Sequence, residues 1–224
     1  MNKYLVGIPV LHGVDHTREA IESAIHPNSG VLVIDNGSSE GVKGVIKTLG
    51  DKINVIVNEV NLFVNPAWNQ IIDYFNEHTE YTHVVIFNSD AILPPNWPYE
   101  LDKFYRTFPG DIPVPYETQD KRFAWQEQDI NRISSVSEIT GGIRGTCIIL
   151  TREQSEKVFP IPEEIKVWYG DNWIYDGLRQ DGCKTYLFNN IIVYHALSQN
   201  VSINPEAIEQ IQNDKKWWGV EDNE

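Results

Sequence analysis

The chain has 224 residues, 41% of them hydrophobic, so it can bury a substantial core and is expected to form one domain, residues 1–224. Its 32 acidic and 18 basic side chains give a formal net charge of -14, and no run of Lys and Arg exceeds two residues. Non-specific binding to a nucleic acid needs clustered cations, so the net negative charge disfavours such a partner. A local basic patch could still bind one despite this charge.

Neither an export signal nor a membrane span is predicted. Residues 1–9 are too short and too soon interrupted for a secretory signal, and no run of 18 apolar residues occurs. We therefore expect a soluble, cytoplasmic protein. Cys147 and Cys183 lack the spacing of metal ligands, and both are expected to be free thiols.

The first hundred residues alternate between strand and helix signals. Apolar runs predict strands over residues 4–10, 30–34, 53–57 and 84–87. Helices are predicted between them, over residues 15–25, 38–50 and from Asn65-Pro66 onward, with Asn65 as the helix cap. This alternation is typical of a mainly parallel sheet with helices on both faces.

The second half has less regular signals. Residues 109–140 contain several prolines and a mixed polar stretch, which predicts a long ordered loop or a hairpin region. Further strands are predicted over residues 145–150, 185–188 and 191–195. Helices are expected after Thr151, which forms a capping box with Gln154, then between Gly170 and Gly182, and from residue 204 onward.

The fourth predicted strand ends abruptly in polar residues. Apolar residues 84–87 give way to Asn88, Ser89 and Asp90. Open α/β sheets bind their ligands at the carboxyl ends of the strands, and carboxylate and amide oxygens suit a hard divalent cation. The segment therefore predicts a metal site, although a turn with Asp90 as a helix cap accounts for the same residues.

Six short motifs follow one another along the chain. They are Val6-Gly-Ile-Pro9-Val10, Val33-Ile-Asp35-Asn36-Gly-Ser-Ser39, Asn58-Glu-Val-Asn61-Leu-Phe-Val-Asn65-Pro-Ala-Trp-Asn69, Asn88-Ser89-Asp90, Tyr169-Gly170-Asp171-Asn172-Trp173 and Val193-Tyr194-His195. In this order they resemble the motifs of the GT-A glycosyltransferases, particularly the inverting enzymes of family two, over roughly residues 3–200. The resemblance implies an α/β fold of the GT-A (nucleotide-diphospho-sugar transferase) type, with a mainly parallel central sheet flanked by helices. It also implies a nucleotide-sugar-binding half (1–100), an acceptor-binding half (101–200) and a C-terminal helical tail (201–224).

The same resemblance implies how the donor nucleotide sugar is bound. Pro9 and Val10 would line the nucleobase pocket, and Asp35 would accept a hydrogen bond from the base or the ribose. Three asparagines would face the donor's phosphates from a helix start, although the glycines common in the family are absent there. They are Asn61, Asn65 and Asn69. Turns and helix caps are the structural alternative for all of these residues.

For the reaction centre, the resemblance implies a cation site next to the base. Asp90 would bind Mn²⁺ or Mg²⁺ between the donor's phosphates, and His195 would complete the cation's shell. Asn88 stands where the family has an aspartate, and with Ser89 it would contact the ribose or a metal-bound water. The missing charge at Asn88 predicts that the cation binds together with the donor. Asp171 corresponds to the general base of the family, with Gly170 in place of a glutamate.

Four residues are expected on the acceptor side of the site. Gly142 and Arg144 resemble the family's acceptor-side turn, and Trp125 and Trp173 offer flat apolar faces for an acceptor. A tight strand entry and core packing are the structural alternatives for the turn and for the tryptophans.

These observations predict an enzyme: a metal-dependent transferase that moves a sugar from a nucleoside diphosphate, usually a uridine one in this family, to an acceptor hydroxyl with inversion. The acceptor stays open among a surface polysaccharide precursor, a protein and a modified DNA base, and the net charge disfavours the last. The alternative is a non-catalytic protein of the same fold that binds a nucleotide sugar or a glycan. A sugar nucleotidyltransferase is disfavoured, because no Gly-rich loop with basic residues follows the first strand.

Overall fold

The computed structural model describes residues 2–123, 136–197 and 205–220, and in these ranges it contains two β-sheets. The larger sheet comprises β1 (Tyr4–Val10), β2 (Ser29–Asn36), β3 (Asn54–Asn58), β4 (His83–Phe87) and β8 (Cys147–Thr151). The smaller sheet comprises β5 (Ala91–Ile92), β6 (Ile112–Thr118), β7 (Val136–Glu138) and β9 (Thr185–His195). The strand orders are β3-β2-β1-β4-β8 and β5-β9-β6, with β7 also paired to β9.

Helices cover both faces of the larger sheet. They are α1 (Val14–Ala24), α2 (Glu40–Leu49), α3 (Val64–Glu77), α4 (Trp97–Thr107), α5 (Arg152–Val158), α6 (Gly170–Gln180) and α7 (Pro205–Trp218). In β1, Tyr4, Val6 and Ile8 pack towards α1, α2 and α4, whereas Leu5 packs towards α3, α5 and α6. Successive side chains of a strand point to opposite faces, so a strand that is apolar throughout can serve two cores.

The first four strands of the larger sheet are parallel, and β8 joins antiparallel to β4. Their carboxyl ends therefore lie along one edge of the sheet. Because α3 packs closely on β1, a side chain at Gly7 would overlap Ile71: a Cβ built there lies 2.3 Å from an Ile71 methyl carbon. The mainly parallel sheet with helices on both faces, predicted from the strand and helix alternation, is confirmed.

Two local predictions are wrong. Asn65 is not the cap of α3, since the helix begins at Val64 and Phe63 precedes it. Part of the segment predicted as a loop or hairpin is the strand β6, although it contains Pro113 and Pro115. The prolines are tolerated because, among the described strands, β6 pairs only with β9 and lies at the edge of its sheet, where a missing N–H costs no ladder hydrogen bond.

The remaining structural predictions concern cysteines and membrane spans. Cys147 and Cys183 are both free thiols, as predicted. Within residues 2–123, 136–197 and 205–220, every helix is too short or too polar to cross a bilayer.

Candidate active site

A cavity of about 550 Å³ lies at the carboxyl edge of the larger sheet. Residues at or just beyond the carboxyl ends of β1, β2 and β4 form one side, and the loop before α6 together with Ala207 of α7 forms another. The predicted site residues that line the cavity are Pro9, Val10, Asn61, Asn88, Ser89, Asp90, Arg144, Asp171 and His195. Residues that are distant in the sequence thus meet because parallel strands end at the same edge.

Asp90 and His195 lie side by side in this cavity. The antiparallel pairing of β5 with β9 sets Ala91 opposite His195, which brings the imidazole next to the preceding residue, Asp90. Asp90 Oδ1 is 3.2 Å from His195 Nε2, and both side chains are buried. The N–H of Ala196 also donates to the Asp90 carbonyl at 2.9 Å, so backbone and side chain hold the pair together.

Glu117, near the end of β6, is a site residue that the sequence analysis missed. Its Oε1 lies 3.0 Å from His195 Nδ1 and accepts a 2.9 Å hydrogen bond from Arg144 Nη1, while its Oε2 accepts one of 2.8 Å from Thr146 Oγ1. The parallel pairing of β6 with β9 places Glu117 there, opposite Val193. The only sequence signal was an acidic residue after an apolar run, and the prolines in that run hid the strand.

His195 and Glu117 both have shifted pKa values. Burial alone would lower the pKa of His195, but its hydrogen bonds to Asp90 and Glu117 raise the pKa to about 9. Burial would raise the pKa of Glu117, but hydrogen bonds from His195, Thr146 and Arg144 lower it to about 2. In both groups the hydrogen bonds and neighbouring charges outweigh desolvation, so His195 and Glu117 are both charged at neutral pH.

Asp171 lies in the first turn of α6 and faces the cavity. Its Oδ2 accepts a hydrogen bond from the Gly145 N–H at 3.0 Å, and its Oδ1 accepts one from the Asn172 N–H at 2.9 Å. Burial raises the pKa of Asp171 above its ordinary value of 3.8, and the backbone hydrogen bonds oppose this shift. A carboxylate that is fixed by backbone donors and has a raised pKa is suited to accept a proton from a bound hydroxyl.

The part of the cavity wall beside the carboxyl ends of β1 and β2 contains a network of side-chain amides. Asn36 donates to Asn61 Oδ1 at 2.9 Å and accepts from Asn58 at 3.1 Å, and Asn58 exchanges two 2.9 Å hydrogen bonds with Gln70. Asn36 and Asn61 line the cavity next to Pro9. Because each amide is held by others, this wall presents a fixed set of polar groups to a ligand.

Asp35 and Asn69, which were predicted to bind the donor, do not line the cavity. Asp35 is buried and accepts hydrogen bonds from the backbone N–H of Ser38, at 2.8 Å, and from the Ser38 hydroxyl. Asn69 exchanges hydrogen bonds of 2.8 and 3.0 Å with the backbone of Ile161. Both side chains hold loops beside the cavity, and nothing in their contacts points to a ligand.

Asn65 also lies outside the lining, and its position explains Gly170. Its amide donates to the carbonyls of Ile165 and Trp168, at 3.2 and 3.0 Å. A Cβ built on Gly170 would lie only 2.2 Å from Asn65 Oδ1 and 3.0 Å from the Trp68 ring. Asn65 therefore fills the space that a side chain at position 170 would need, which accounts for a glycine where the resemblance implies a glutamate.

Of the predicted acceptor-side residues that the structure describes, only Arg144 lines the cavity. Gly142 lies in open space, and Trp173 packs with the core below α6 while its Nε1 donates to the Val158 carbonyl at 2.7 Å. Trp125 lies outside the described residues. Trp168, which the sequence analysis did not single out, is the half-exposed tryptophan of the cavity wall.

Asp90 and His195 fit a divalent cation only in part. Among the described residues, no group of three His, Cys, Asp or Glu side chains is arranged to hold a metal ion. A carboxylate oxygen and an imidazole nitrogen 3.2 Å apart can nevertheless be neighbouring ligands of one ion, provided that the ion displaces the proton from His195 Nε2. Glu117 on the opposite ring nitrogen would orient the imidazole. Such a pair needs further oxygens from a substrate or water, which Mn²⁺ and Mg²⁺ commonly accept.

Solved glycosyltransferase structures share this fold. One is GalNAc-T7 with UDP, GalNAc and Mn²⁺, with a TM-score of 0.65, 15% identity and coverage of 87% of this chain and 44% of that one. Another is S. aureus TarS 1-349 in complex with UDP, with a TM-score of 0.62, 15% identity and coverage of 99% and 67%. At such identities the likeness shows the fold alone. This chain spans about half the length of these proteins, so their complete activities do not transfer to it.

Sequence comparison gives the family directly. No curated protein matches the chain. The family model described as glycosyl transferase family 2 matches residues 5–162, which is more than half of the sequence and includes the ends of β1, β2 and β4 at the cavity. The chain therefore belongs to glycosyltransferase family 2 and has the GT-A fold.

Proposed function

We propose that this protein is a metal-dependent glycosyltransferase that moves a sugar from a nucleoside diphosphate, with UDP as the preferred nucleotide, to an acceptor hydroxyl with inversion. The observation that carries the proposal is that Asp171 shares one cavity with the buried pair of Asp90 and His195. The UDP in two of the similar structures and the Mn²⁺ in one of them support the choice of ligands.

Each end of the cavity has a role in this reaction. Pro9, Val10 and the amide wall of Asn36 and Asn61 hold the nucleoside. Asn88 and Ser89 directly precede Asp90 in the chain and contact the donor between the nucleoside and the phosphates. Asp35, Asn65 and Asn69 support this pocket from outside through their contacts with loops. Asp35, Asn65 and Asn69 thus stabilise the shape of the nucleoside pocket without contacting the donor.

Asp90 and His195 would hold Mn²⁺ or Mg²⁺, with Glu117 fixing the imidazole. The bound ion supplies positive charge that stabilises the leaving diphosphate. Asp171 accepts the proton of the acceptor hydroxyl, and the oxygen of that hydroxyl forms the new bond to the sugar's anomeric carbon as the bond to the diphosphate breaks. Inversion follows if the acceptor approaches from the face opposite the diphosphate.

Thermal unfolding with nucleotides tests the donor and the cation together. UDP with Mn²⁺ is expected to raise the melting temperature by more than UDP alone, because ligands that bind only the folded state stabilise it. GDP and dTDP serve as nucleotide controls. The Asp90→Asn variant should lose the Mn²⁺-dependent part of the shift, and an equal shift with and without Mn²⁺ in the wild type would contradict the metal site.

Release of sugar from UDP-sugars separates an enzyme from a binding protein of the same fold. A transferase whose base is Asp171 should hydrolyse its own donor slowly when no acceptor is present, since water can take the acceptor's place. UDP binding without any sugar release over a day, across a panel of UDP-hexoses and UDP-N-acetylhexosamines, would favour the non-catalytic alternative.

A further inference from the structure

The wall of the cavity next to Asp171 contains an exposed aromatic ring. Trp168 lines the cavity and is 43% exposed, although large aromatic side chains usually bury most of their surface. Val167, Tyr169 and Ala207 of α7 line the same wall, so it is largely apolar. This contrasts with the amide wall at the nucleoside end.

The backbone beneath this ring is held by two buried polar side chains. Asp214 of α7, which is fully buried, accepts hydrogen bonds from the N–H groups of Lys166, Val167 and Trp168 at 3.0, 2.7 and 2.8 Å. From the other side, the buried amide of Asn65 donates to the Trp168 carbonyl at 3.0 Å. An exposed ring on a backbone clamped from two helices is preorganised, so binding a ligand costs it little conformational entropy.

Side chains around Trp168 also restrain its surroundings. The Lys215 ammonium lies 5.7 Å from the centre of the Trp168 ring, within the range of a cation–π contact. Tyr169 stacks on Trp218 with 5.2 Å between ring centres and 7° between planes. Helix α7 therefore supplies Asp214, Lys215 and Trp218 to the support of one short segment of the wall.

Trp168 is close to Asp171 in the chain. Only Tyr169 and Gly170 lie between it and Asp171, so the Cα atoms of Trp168 and Asp171, three residue steps apart, lie within about 11 Å of each other. In the proposed function the base touches the acceptor hydroxyl, and an aromatic face this close to the base can contact the rest of the same acceptor molecule. Rigid, flat side chains such as tryptophan give a large contact area at low entropic cost.

We propose that Trp168, held in place by Asp214 and Asn65, is the acceptor platform of this cavity and stacks on the ring of a carbohydrate acceptor. This inference rests on the proposed function and goes further by naming the class of acceptor. The apolar wall of Val167, Trp168 and Ala207 suits the apolar face of an uncharged sugar ring, with the ring's hydroxyls directed towards Asp171 and Arg144.

Saturation-transfer NMR with simple glycosides tests the platform without knowledge of the natural acceptor. The probes are the α- and β-methyl glycosides of glucose, galactose, N-acetylglucosamine and N-acetylgalactosamine, each at 20 mM in the presence of UDP and Mg²⁺, which avoids paramagnetic broadening. At least one glycoside should receive saturation on the protons of one ring face. Trp168→Ala should weaken its binding about tenfold, and Trp168→Phe should restore part of it, since an aromatic contact contributes on this order.

Trp217 provides a matched control, because it is also 43% exposed but does not line the cavity. Trp217→Ala should bind the glycoside like the wild type. Asp214→Asn should weaken glycoside binding and speed hydrogen exchange at the amides of Lys166, Val167 and Trp168, because the amide group cannot accept all of their hydrogen bonds.

Calorimetry with UDP and Mg²⁺ on the same proteins separates this inference from the proposed function. UDP binding should be the same in the wild type and in both tryptophan variants. If UDP fails to bind the wild type, the proposed function fails and the platform with it. The platform alone is refuted if UDP binds and no glycoside does, if Trp168→Ala weakens UDP and glycoside alike, or if 5-hydroxymethyldeoxyuridine binds in place of the glycosides.

Discussion

A buried histidine lies at each end of strand β4, and the pKa values of the two histidines are shifted in opposite directions. His83 begins the strand, and His195 lies next to Asp90, three residues beyond the strand's end. They are 7% and 5% exposed, yet burial lowers the pKa of His83 to about 4, whereas hydrogen bonds to two carboxylates raise that of His195 to about 9 against the effect of burial. Burial alone therefore does not decide the charge of a histidine here.

The difference comes from what each ring contacts. His83 packs beside the rings of Tyr4 and Tyr105, at 5.2 and 4.4 Å between centres, and its Nδ1 lies 2.8 Å from the Thr82 hydroxyl. These contacts suit a neutral ring in a core. His195 has a carboxylate at each nitrogen, an arrangement that costs desolvation and stabilises the fold little, so it indicates a binding site.

The largest expected effect is on catalysis in the cavity at the carboxyl edge of the larger sheet. Asp171→Asn should lower turnover by about 10²- to 10⁴-fold, because the amide cannot accept the acceptor's proton. UDP affinity in the presence of Mn²⁺ should be unchanged. Donor hydrolysis or transfer assays give the first quantity and calorimetry gives the second. An Asp171→Asn variant with full activity would remove this residue from the role of base.

The raised pKa of Asp171 predicts a pH profile for the same reaction. The base acts when ionised, so activity should fall as the pH falls through its pKa, and burial places that fall above the ordinary 3.8. The acid limb of kcat/KM should disappear in Asp171→Asn, whose residual activity is expected to be independent of pH in that range. A limb that persists in this variant belongs to another group.

The amino end of β4 predicts a stability effect with no catalytic counterpart. The pKa of His83 is about 4 in the folded protein and 6.5 ordinarily, so the unfolded chain takes up a proton first as the pH falls below 6.5. The free energy of unfolding should therefore drop by about 3 kcal/mol between pH 6.5 and 4 because of this ring. Urea unfolding at several pH values gives the free energy of unfolding of the wild type and of His83→Phe, and the slope of this free energy against pH is compared between them. The difference at pH 8, where the ring is neutral in both states, gives the packing cost of the substitution. Parallel slopes would show that His83 is not buried as a neutral ring.

Glu117 tests whether the second carboxylate on His195 serves the cation. Glu117→Gln should weaken Mn²⁺ binding to the UDP complex by about 10- to 100-fold, the usual effect of losing the partner that orients a metal-binding histidine. Glu100→Gln is the matched control, because the Glu100 carboxylate is also hydrogen-bonded, to Lys103 and Asn190, but does not contact His195. Electron paramagnetic resonance of Mn²⁺ reports the binding without an activity assay. Equal losses in the two variants would mean a general effect on the fold.

The smallest effect is expected at Arg144. Its side chain is 71% exposed, and exposed ion pairs contribute at most about 1 kcal/mol, so Arg144→Ala should change Mn²⁺ affinity by less than about fivefold. A loss as large as that of Glu117→Gln would show that the arginine, rather than the buried partners, determines the state of the cluster.

Local patterns in the sequence determined the four parallel strands of the larger sheet. The apolar runs of β1 to β4, with helices between them, specify a parallel sheet whose strand ends meet at one edge, because crossover connections leave few other arrangements. Asp90 could be predicted as a site residue for this reason, since a polar residue directly after a buried strand lies at that edge. The six motifs added Asp171 and His195 through their resemblance to the family, although both residues lie beyond residues 5–162, which the family model matches.

Only the tertiary structure brought Glu117, Trp168 and Asp214 to the site. Glu117 follows prolines that are tolerated because β6 is an edge strand, and edge position depends on the whole sheet. Trp168 and Asp214 lie in a loop and a helix 46 residues apart, and their contact depends on how α7 packs. Long-range packing, unlike the periodicity of one element, leaves no local pattern, and for the same reason the sequence could not show that Asn65 and Gly170 share one space.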